Sequence, residues 1–350
     1  MDMSLGNGVM PKIALVLPVY RAIPYLQACL DSILAQTYGN FTVFAIDDGS
    51  PDASGKVLDE YAVRDSRIRV THQANAGIGR SRNAGLALVE ESGGFDYVGF
   101  IDNDDVIAPE YLERFVQAIR QWRPDVVFCC FQRFTKSGRV KTDQPLPVAR
   151  NPYSRQDLAD RYVQKNGWAH PYMPRIEIWA ALYAVETVRG FRFEGGFKTG
   201  GEDTMFSRLI LPRIDRVVYV DEVLYFWRQR KSSASHMFDE NPDFSEALQM
   251  MQGIKPDRGG DPYEREKCNR LVSNTWGSLR RVLQSGKPFP AEDFRRLREF
   301  IQTRIGDDEL DKRRRRYRKW MSLPLVVLKW YVRFFRISSD SVKKVSDFFD

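Results

Sequence analysis

Apolar residues fill positions 13–17 without a break, and the run ends at a polar turn just after Pro18, Val19 and Tyr20. A short continuous apolar run of this kind predicts a strand buried on both faces, the form found in parallel sheets. The spacing then changes: Leu26, Leu30, Ile33 and Leu34 fall on one face of a helix. A strand over 41–46 follows, then a polar turn at 47–50, a helix over 52–64 with Leu58 and Tyr61 inward, and a short strand over 68–70. The order β, α, β, α, β predicts a doubly wound, mainly parallel sheet with right-handed crossovers and helices on both faces. Further along, 97–101 and 126–131 are apolar runs of strand length, and 217–220 with 223–227 predict two more strands.

Two of these strands end in acids. The run 97–101 leads into Asp102, Asn103, Asp104 and Asp105, and the run 41–46 leads into Asp47, Asp48, Gly49 and Ser50. In an open α/β sheet the carboxyl edge of the strands is where ligands bind. If the chain stays extended there, Asp102 and Asp104 project to one side. Two hard oxygen ligands without a neighbouring His or Cys suit Mg²⁺ or Mn²⁺, ions that leave positions open for phosphate oxygens. A plain alternative is an N-cap for the helix that Pro109 and Glu110 could start. For 47–50 the alternative is a type I turn closing a strand.

The segment 75–85 is glycine-rich and imitates a dinucleotide fingerprint through Gly77, Gly79 and Gly85. That fingerprint follows the first strand and carries glycine at its sixth position. Here the sixth position is Arg82 and the segment follows the third strand, so a dehydrogenase is disfavoured. Arg82 is available to pair with an acid or a phosphate, or it is an exposed residue near a helix N-terminus.

Taken in order, "LPVYRAIPYLQACLDSILAQTY", "AIDDGSPDAS", "NAGIGRSRNAGLALV", "YVGFIDNDDVIAPEYLE" and "GGEDTMFSRLI" resemble the family 2 glycosyltransferases of the GT-A fold, over about residues 10–235. The resemblance implies an inverting transfer of a sugar from a nucleoside diphosphate sugar, with a UDP-sugar the expected donor, to a hydroxyl of a glycan or lipid-linked acceptor. It places Pro18, Val19 and Tyr20 along the nucleotide base pocket and gives Asp48 the base N–H, with Asp47 beside it. A carboxylate offers only acceptors, so it can read a base that presents a donor.

The resemblance also implies that Arg82, Asp102 and Asn103 border the donor and that Asp102 and Asp104 hold the metal. Asp203, after Glu202, falls at the catalytic base, and the following helix buries Phe206, Leu209 and Ile210. A sugar hydroxyl is a poor nucleophile until a positioned base accepts its proton. Acids at a helix N-terminus are the alternative account of Glu202 and Asp203. The polar loop from Arg228 to His236 is implied to close over the diphosphate, with His236 a candidate third metal ligand. The aromatic stretch 168–179, which includes His170, suits either an acceptor sugar or core packing.

The formal net charge of +7 changes meaning once it is located. Ten basic residues and no acid lie between Lys312 and Arg336, so the rest of the chain is net acidic. Residues 312–319 are nearly all cationic. Residues 320–337 predict a helix with a narrow stripe of Ser322, Lys329, Arg333 and Arg336 and a broad face that includes Trp320, Leu323, Trp330 and Phe334. Such a helix suits the interface of an anionic membrane and is interrupted too often by charge to span one. Packing on protein is the alternative. Nucleic-acid binding has charge alone in its favour, without aromatics interleaved in the basic cluster or a reader motif, and no nucleic-acid partner is expected.

Polar helix-forming segments at 241–253, 262–286 and 290–305 join the two parts, with the loop 253–262 the clearest break. The expected layout is a GT-A catalytic domain over 1–240, a helical accessory region over 241–310 and a membrane-associating tail over 311–350. The four cysteines lack CxxC spacing and two lie in an apolar run, which suits buried thiols in a reducing compartment. Residues 1–12 lack the charged and apolar regions of a secretory signal. The expected location is therefore the cytoplasm, at the inner face of the membrane. A catalytically inactive relative that binds nucleotide or glycan is the competing function, and intact Asp102, Asp104 and Asp203 speak against it.

Overall fold

The structure is a computed structural model that describes residues 10–135, 151–154, 178–193, 206, 210, 213–230, 244–252, 254, 262–285, 288–308, 310, 312–325 and 327–328. Asp203, Glu202, Leu209, His236, His170 with most of the aromatic stretch, most of the loop 253–262 and the chain beyond Leu328 lie outside the described residues. Two compact units divide the chain, Met1–Ser233 and Ala234–Asp350.

In the first unit the alternation follows the expected order: β1 (Ile13–Val19), α1 (Ile23–Leu34), β2 (Phe41–Asp47), α2 (Ser54–Arg64), β3 (Ile68–His72), α3 (Ile78–Ser92) and β4 (Tyr97–Phe100). Short β5 (Val106–Ile107), α4 (Tyr111–Trp122), β6 (Val126–Phe134), β7 (Tyr153–Ser154), β8 (Ala181–Ala184), α5 (Val185–Val188) and β9 (Arg216–Arg228) complete it. The sheet runs β3-β2-β1-β4-β8-β6-β9-β5, with β7 on β9. β3, β2, β1 and β4 are mutually parallel and β6 is parallel to β9, whereas β8, β5 and β7 pair antiparallel. The strand order reverses at β1, which has β2 on one side and β4 on the other. Right-handed crossovers put the helices before and after such a reversal on opposite faces, and the crevice between the two strand ends is where ligands bind.

The helix faces come from the apolar spacing. Leu26, Cys29, Leu30 and Ile33 of α1 are buried, as are Leu58 and Tyr61 of α2. All seven residues of β1 and of β2 are buried, which is why β1 reads as an unbroken apolar run and β2 as one interrupted only by Thr42 before Asp47. All four cysteines are buried free thiols.

One expectation is corrected here. The two strands expected at 217–220 and 223–227 are a single strand, β9. Its register on β6 jumps from Cys129 opposite Val220 to Cys130 opposite Val223. Asp221 and Glu222, both exposed, fill the bulge. Their polarity mimics a turn in the sequence, while the β6 ladder continues on either side.

The second unit holds α6 (Ser245–Gln252), α7 (Pro262–Ser285), α8 (Ala291–Arg304) and α9 (Lys312–Met321). Its buried side chains include Leu271, Leu279, Leu297, Ile301 and Met321, with Phe244 stacked on Phe294. The cationic segment 312–319 forms α9, but the helix stops at Met321, and Ser322 and Leu323 form a turn before Pro324. Proline has no N–H to continue a helix, and its ring suits the first turn of a new one. No helix among the described residues is long and apolar enough to cross a membrane.

Candidate functional site

Among the described residues, four strand ends and one helix build the site. At the end of β1, Asp48 N–H donates to Val19 O at 2.9 Å and Asn103 Nδ2 donates to Pro18 O at 2.9 Å, so both acidic turns are tied to β1. Tyr20 is exposed at this edge, whereas Pro18 and Val19 are buried. Gly49 adopts φ +67° in the first turn, and a Cβ there would meet Asn75 N at 2.9 Å. Only glycine serves at such a position without strain.

Asp47 and Asp48 have different tasks. Asp47 Oδ1 accepts from Ser50 N–H at 3.1 Å, which closes the turn, and its Oδ2 lies 3.0 Å from His72 Nδ1. Burial favours the neutral acid, but the hydrogen bonds from Ser50 and His72 outweigh it and hold Asp47 below its ordinary value. Asp48, 3% exposed, accepts from Ala76 N at 2.8 Å, Gly77 N at 2.8 Å and Gln73 Nε2 at 2.7 Å. These bonds fix the loop that starts α3. A carboxylate has about four acceptor sites, so one remains.

Arg82, on the first turns of α3, is buried rather than exposed. Its Nη2 donates to Asp102 Oδ1 at 2.9 Å, and its guanidinium lies 5.7 Å from the centre of the Phe193 ring. The adjacent Asn83 grips the backbone of Phe193, donating to its carbonyl at 2.8 Å and accepting its N–H at 2.6 Å. Phe193 stacks on Phe206, and Phe206 packs edge-on against Phe100. Phe206 is three residues beyond Asp203, and Phe100 is two residues before Asp102.

The acidic turn itself is not extended. Asp105 N–H donates to Asp102 O at 3.1 Å and closes the chain into a turn. Asp102 and Asp104 therefore come from a tight turn rather than from strand alternation, a correction to the expected geometry. Capping is also excluded for these acids: α4 begins after Glu110 without a side-chain cap. Asp104 Oδ2 lies 2.7 Å from Arg230 Nε. Burial pushes Asp104 above its ordinary value, with Arg230 opposing and the charge of Asp102 adding to the rise.

Asp105 is fully buried and accepts from Tyr225 Oη at 2.8 Å and from Arg228 N–H at 2.8 Å. Tyr225 Oη in turn accepts from Asp102 N–H at 3.3 Å. Arg228 Nε donates to Asp104 O at 2.6 Å, and its guanidinium lies over the Phe134 and Tyr25 rings at 4.3 and 5.0 Å. The end of β9 is thereby fastened to the acidic turn across about 120 residues of chain.

Among the expected residues, Pro18, Val19, Asp47, Asp48, Arg82, Asp102, Asn103, Asp104 and Arg228 lie on the two acidic turns or on the segments hydrogen-bonded to them, with Tyr20 next to Val19. Asp105 and Tyr225 are hydrogen-bonded to the same acidic turn, and Arg230, inside the polar loop expected to close over the diphosphate, forms an ion pair with Asp104. Asp105 was visible as a third acid in the turn. Tyr225 sat inside an apolar run and gave no signal. Among the described residues no group of three or more His, Cys, Asp or Glu side chains is arranged to hold a metal.

Residues 14–193 match the family model for Glycosyl transferase family 2. The chain belongs to this family. It is 28% identical over 252 residues to EpsJ, an uncharacterized glycosyltransferase of Bacillus subtilis (strain 168), covering 71% of this chain and 69% of EpsJ. It is 31% identical over 241 residues to the glycosyltransferase GlyA of Streptococcus pneumoniae serotype 4, covering 65% of this chain and about a third of GlyA (32%). Among solved structures, residues 1–349 of S. aureus TarS match with a TM-score of 0.58 at 16% identity, over 88% of this chain and 90% of that one. The same TarS fragment in complex with UDP-GlcNAc matches with a TM-score of 0.53 at 16% identity, over 83% and 71%. The fold is GT-A-like, and the protein is a glycosyltransferase of family 2.

Proposed function

We propose that this glycosyltransferase moves a sugar, with inversion, from a UDP-sugar to a hydroxyl of a glycan or lipid-linked acceptor, in the building of a cell-surface polysaccharide. The observation that carries this is the gathering of Asp48, Arg82, Asp102, Asp104 and Arg228 around the strand reversal at β1 and β4. That crevice is where a doubly wound sheet takes a nucleotide. The UDP-sugar gains support from the match to TarS, whose structure contains UDP-GlcNAc. The polysaccharide context is supported by a 29% identical relative over 221 residues, the succinoglycan biosynthesis protein ExoW of Rhizobium meliloti, covering 61% of this chain and 67% of ExoW.

The free acceptor site of Asp48 takes the base N–H, beside Pro18, Val19, Tyr20 and Asp47. Arg82 and Asn103 orient the acidic turn, and Arg228 holds it in register with β9. The donor set suits Mg²⁺ or Mn²⁺: Asp102 and Asp104 offer hard carboxylate oxygens, Asp104 already accepts a cation in Arg230, and His236 is the third candidate. When bound, such an ion supplies Lewis-acid stabilisation of the departing diphosphate. Asp203 takes the proton of the acceptor hydroxyl as that oxygen attacks the anomeric carbon and the bond to the diphosphate breaks. Phe206, three residues after Asp203 in the sequence, packs on Phe100, two residues before Asp102, and this supports the role given to Asp203.

The second unit carries the protein to the cytoplasmic face of an anionic membrane. Lys312, Arg313, Arg315 and Lys319 of α9 are exposed, and the exposed apolar side chains Leu323 and Val327 follow them. A screen for UDP release over a panel of UDP-sugars tests the catalytic reading, since an active enzyme releases UDP slowly even without acceptor. Asp203→Asn is expected to bind donor as the parent does and to lose transfer by about 100-fold or more. Unchanged turnover in that variant removes Asp203 as the base.

A further inference from the structure

Among the described residues three arginines approach the acidic turn, and they are held differently. Arg82 donates a directed hydrogen bond to Asp102 and is enclosed against Phe193. Arg228 is committed through both its backbone N–H and its Nε to Asp105 and Asp104. Arg230 stands two residues past the end of β9 and forms an ion pair with Asp104. Its Nε is 2.7 Å from Oδ2, yet that buried N–H makes no directed hydrogen bond. Its guanidinium also lies 5.5 Å from the centre of the Tyr25 ring, on α1. A shielded carboxylate needs a partner of opposite charge, and Arg230 supplies it from beyond the end of β9 through a single ion pair.

We propose that Arg230 is the resident counter-ion of Asp104 in the donor-free protein, and that a divalent metal binds there only by displacing it. The inference rests on Asp104 as a metal ligand, the reading given above. Metal alone would have to break the ion pair and leave a guanidinium unpaired beside Tyr25. Metal arriving with a nucleoside diphosphate brings phosphate oxygens, to which a displaced guanidinium can pair bidentately. Arg230 thus suppresses binding of the bare ion and makes metal and diphosphate load together. By linkage, each ligand then raises the affinity of the other by the same factor.

Mn²⁺ titration of the full-length protein, followed by the electron paramagnetic resonance signal of free Mn²⁺ with and without UDP, tests this. The parent is expected to bind Mn²⁺ weakly alone and more tightly with UDP. Arg230→Gln should raise affinity for Mn²⁺ alone by about fivefold or more and shrink the effect of UDP. Arg230→Lys, which keeps the charge, should stay close to the parent, and Asp104→Asn should lose Mn²⁺ binding in both conditions. If Arg230→Gln binds bare Mn²⁺ no better than the parent while Asp104→Asn still abolishes the UDP-dependent binding, the counter-ion role is overturned and the metal ligand stands. If the parent fails to bind Mn²⁺ even with UDP, the metal reading falls and this inference falls with it.

Discussion

Arg82, on α3, and Asp102, at the carboxyl end of β4, form an ion pair in which the arginine side chain is 2% exposed and Nη2 lies 2.9 Å from Oδ1. The pair fixes the helix that follows the glycine-rich segment to the turn that carries Asp104. Removing one member of a buried pair leaves the other charge without compensation, which costs about 3–5 kcal/mol. Asp102 keeps partial access to water, so the lower end applies. Arg82→Leu is therefore expected to lose roughly 3 kcal/mol in urea unfolding at neutral pH, and Asp102→Asn in the same background should restore part of it. A loss below about 1 kcal/mol would mean that the pair does not hold the turn.

Gly85 sits on α3 directly over β1. A Cβ there would lie 2.4 Å from Val16 Cγ1 and 3.0 Å from Cγ2. Val16 is fully buried in the centre of the sheet and cannot swing away. Gly85→Ala should gain about 1 kcal/mol of helix propensity and lose more by overpacking, which costs about 1–3 kcal/mol. The net expectation is a lower unfolding midpoint, rescued in part by Val16→Ala in the double variant. A more stable Gly85→Ala single variant would show that the helix can lift off β1 at little cost.

The sequence showed the strand ends and the helix faces because both are written in local periods. β1, β2 and β4 are buried on both sides, so they read as largely apolar runs, and the acids that follow β4 and close β2 stand out. The pairing of those acids was not written locally. Asp48 spends three acceptor sites on the loop before α3, Asp105 meets Tyr225 and Arg228 across the sheet, and Arg230 lies on Asp104. Each is a contact between distant segments set by the order of strands, and a composition or period cannot encode it. Asp221 and Glu222 misled in the opposite direction, since a two-residue polar interruption looks the same whether a strand ends or bulges. In α9 the charge density was visible, whereas the inward face that buries Arg314 and Tyr317 was not.

His72, at the end of β3, bridges Asp47 and Asp59 at 3.0 Å from each. Hydrogen bonds to Asp47 and Asp59 raise His72 above its ordinary value of 6.5, and the Ser50 and His72 bonds keep Asp47 below 3.8 against its burial. A raised histidine stabilises fully below its unfolded value and loses that contribution as pH climbs through the folded one. A lowered carboxylate stabilises above its unfolded value and loses that contribution as pH falls through the folded one. Both contributions are complete between about pH 3.8 and 6.5. The His72 side chain is about half exposed, so the effect should stay under about 1 kcal/mol. Unfolding of His72→Gln beside the parent at pH 5.5 and 8.5 checks the sign: the variant should fall further behind at the acid pH, and an equal gap at both would remove the bridge as a source of stability.

The basic helix α9 has two faces with different work. Arg314 is buried and donates from Nε to Ser273 Oγ at 2.9 Å, while Tyr317 stacks on Trp276 at 5.5 Å and Trp320 packs on the same ring at 5.2 Å. Removing the helix would therefore break the second unit rather than test the surface. Lys312, Arg313, Arg315 and Lys319 are exposed, and Leu323 and Val327 are each 40% exposed just beyond the turn. Near an anionic surface each basic residue contributes roughly 1 kcal/mol, within a Debye length. Replacing the four exposed cations with glutamine should weaken flotation on vesicles rich in phosphatidylserine to the level that raised salt leaves in the parent, with UDP binding unchanged. Raised salt should weaken the parent only in part, because the apolar knob of Leu323 and Val327 is insensitive to screening. A quadruple variant that floats as well as the parent, or a parent that never floats, would assign the cationic face to a protein partner instead.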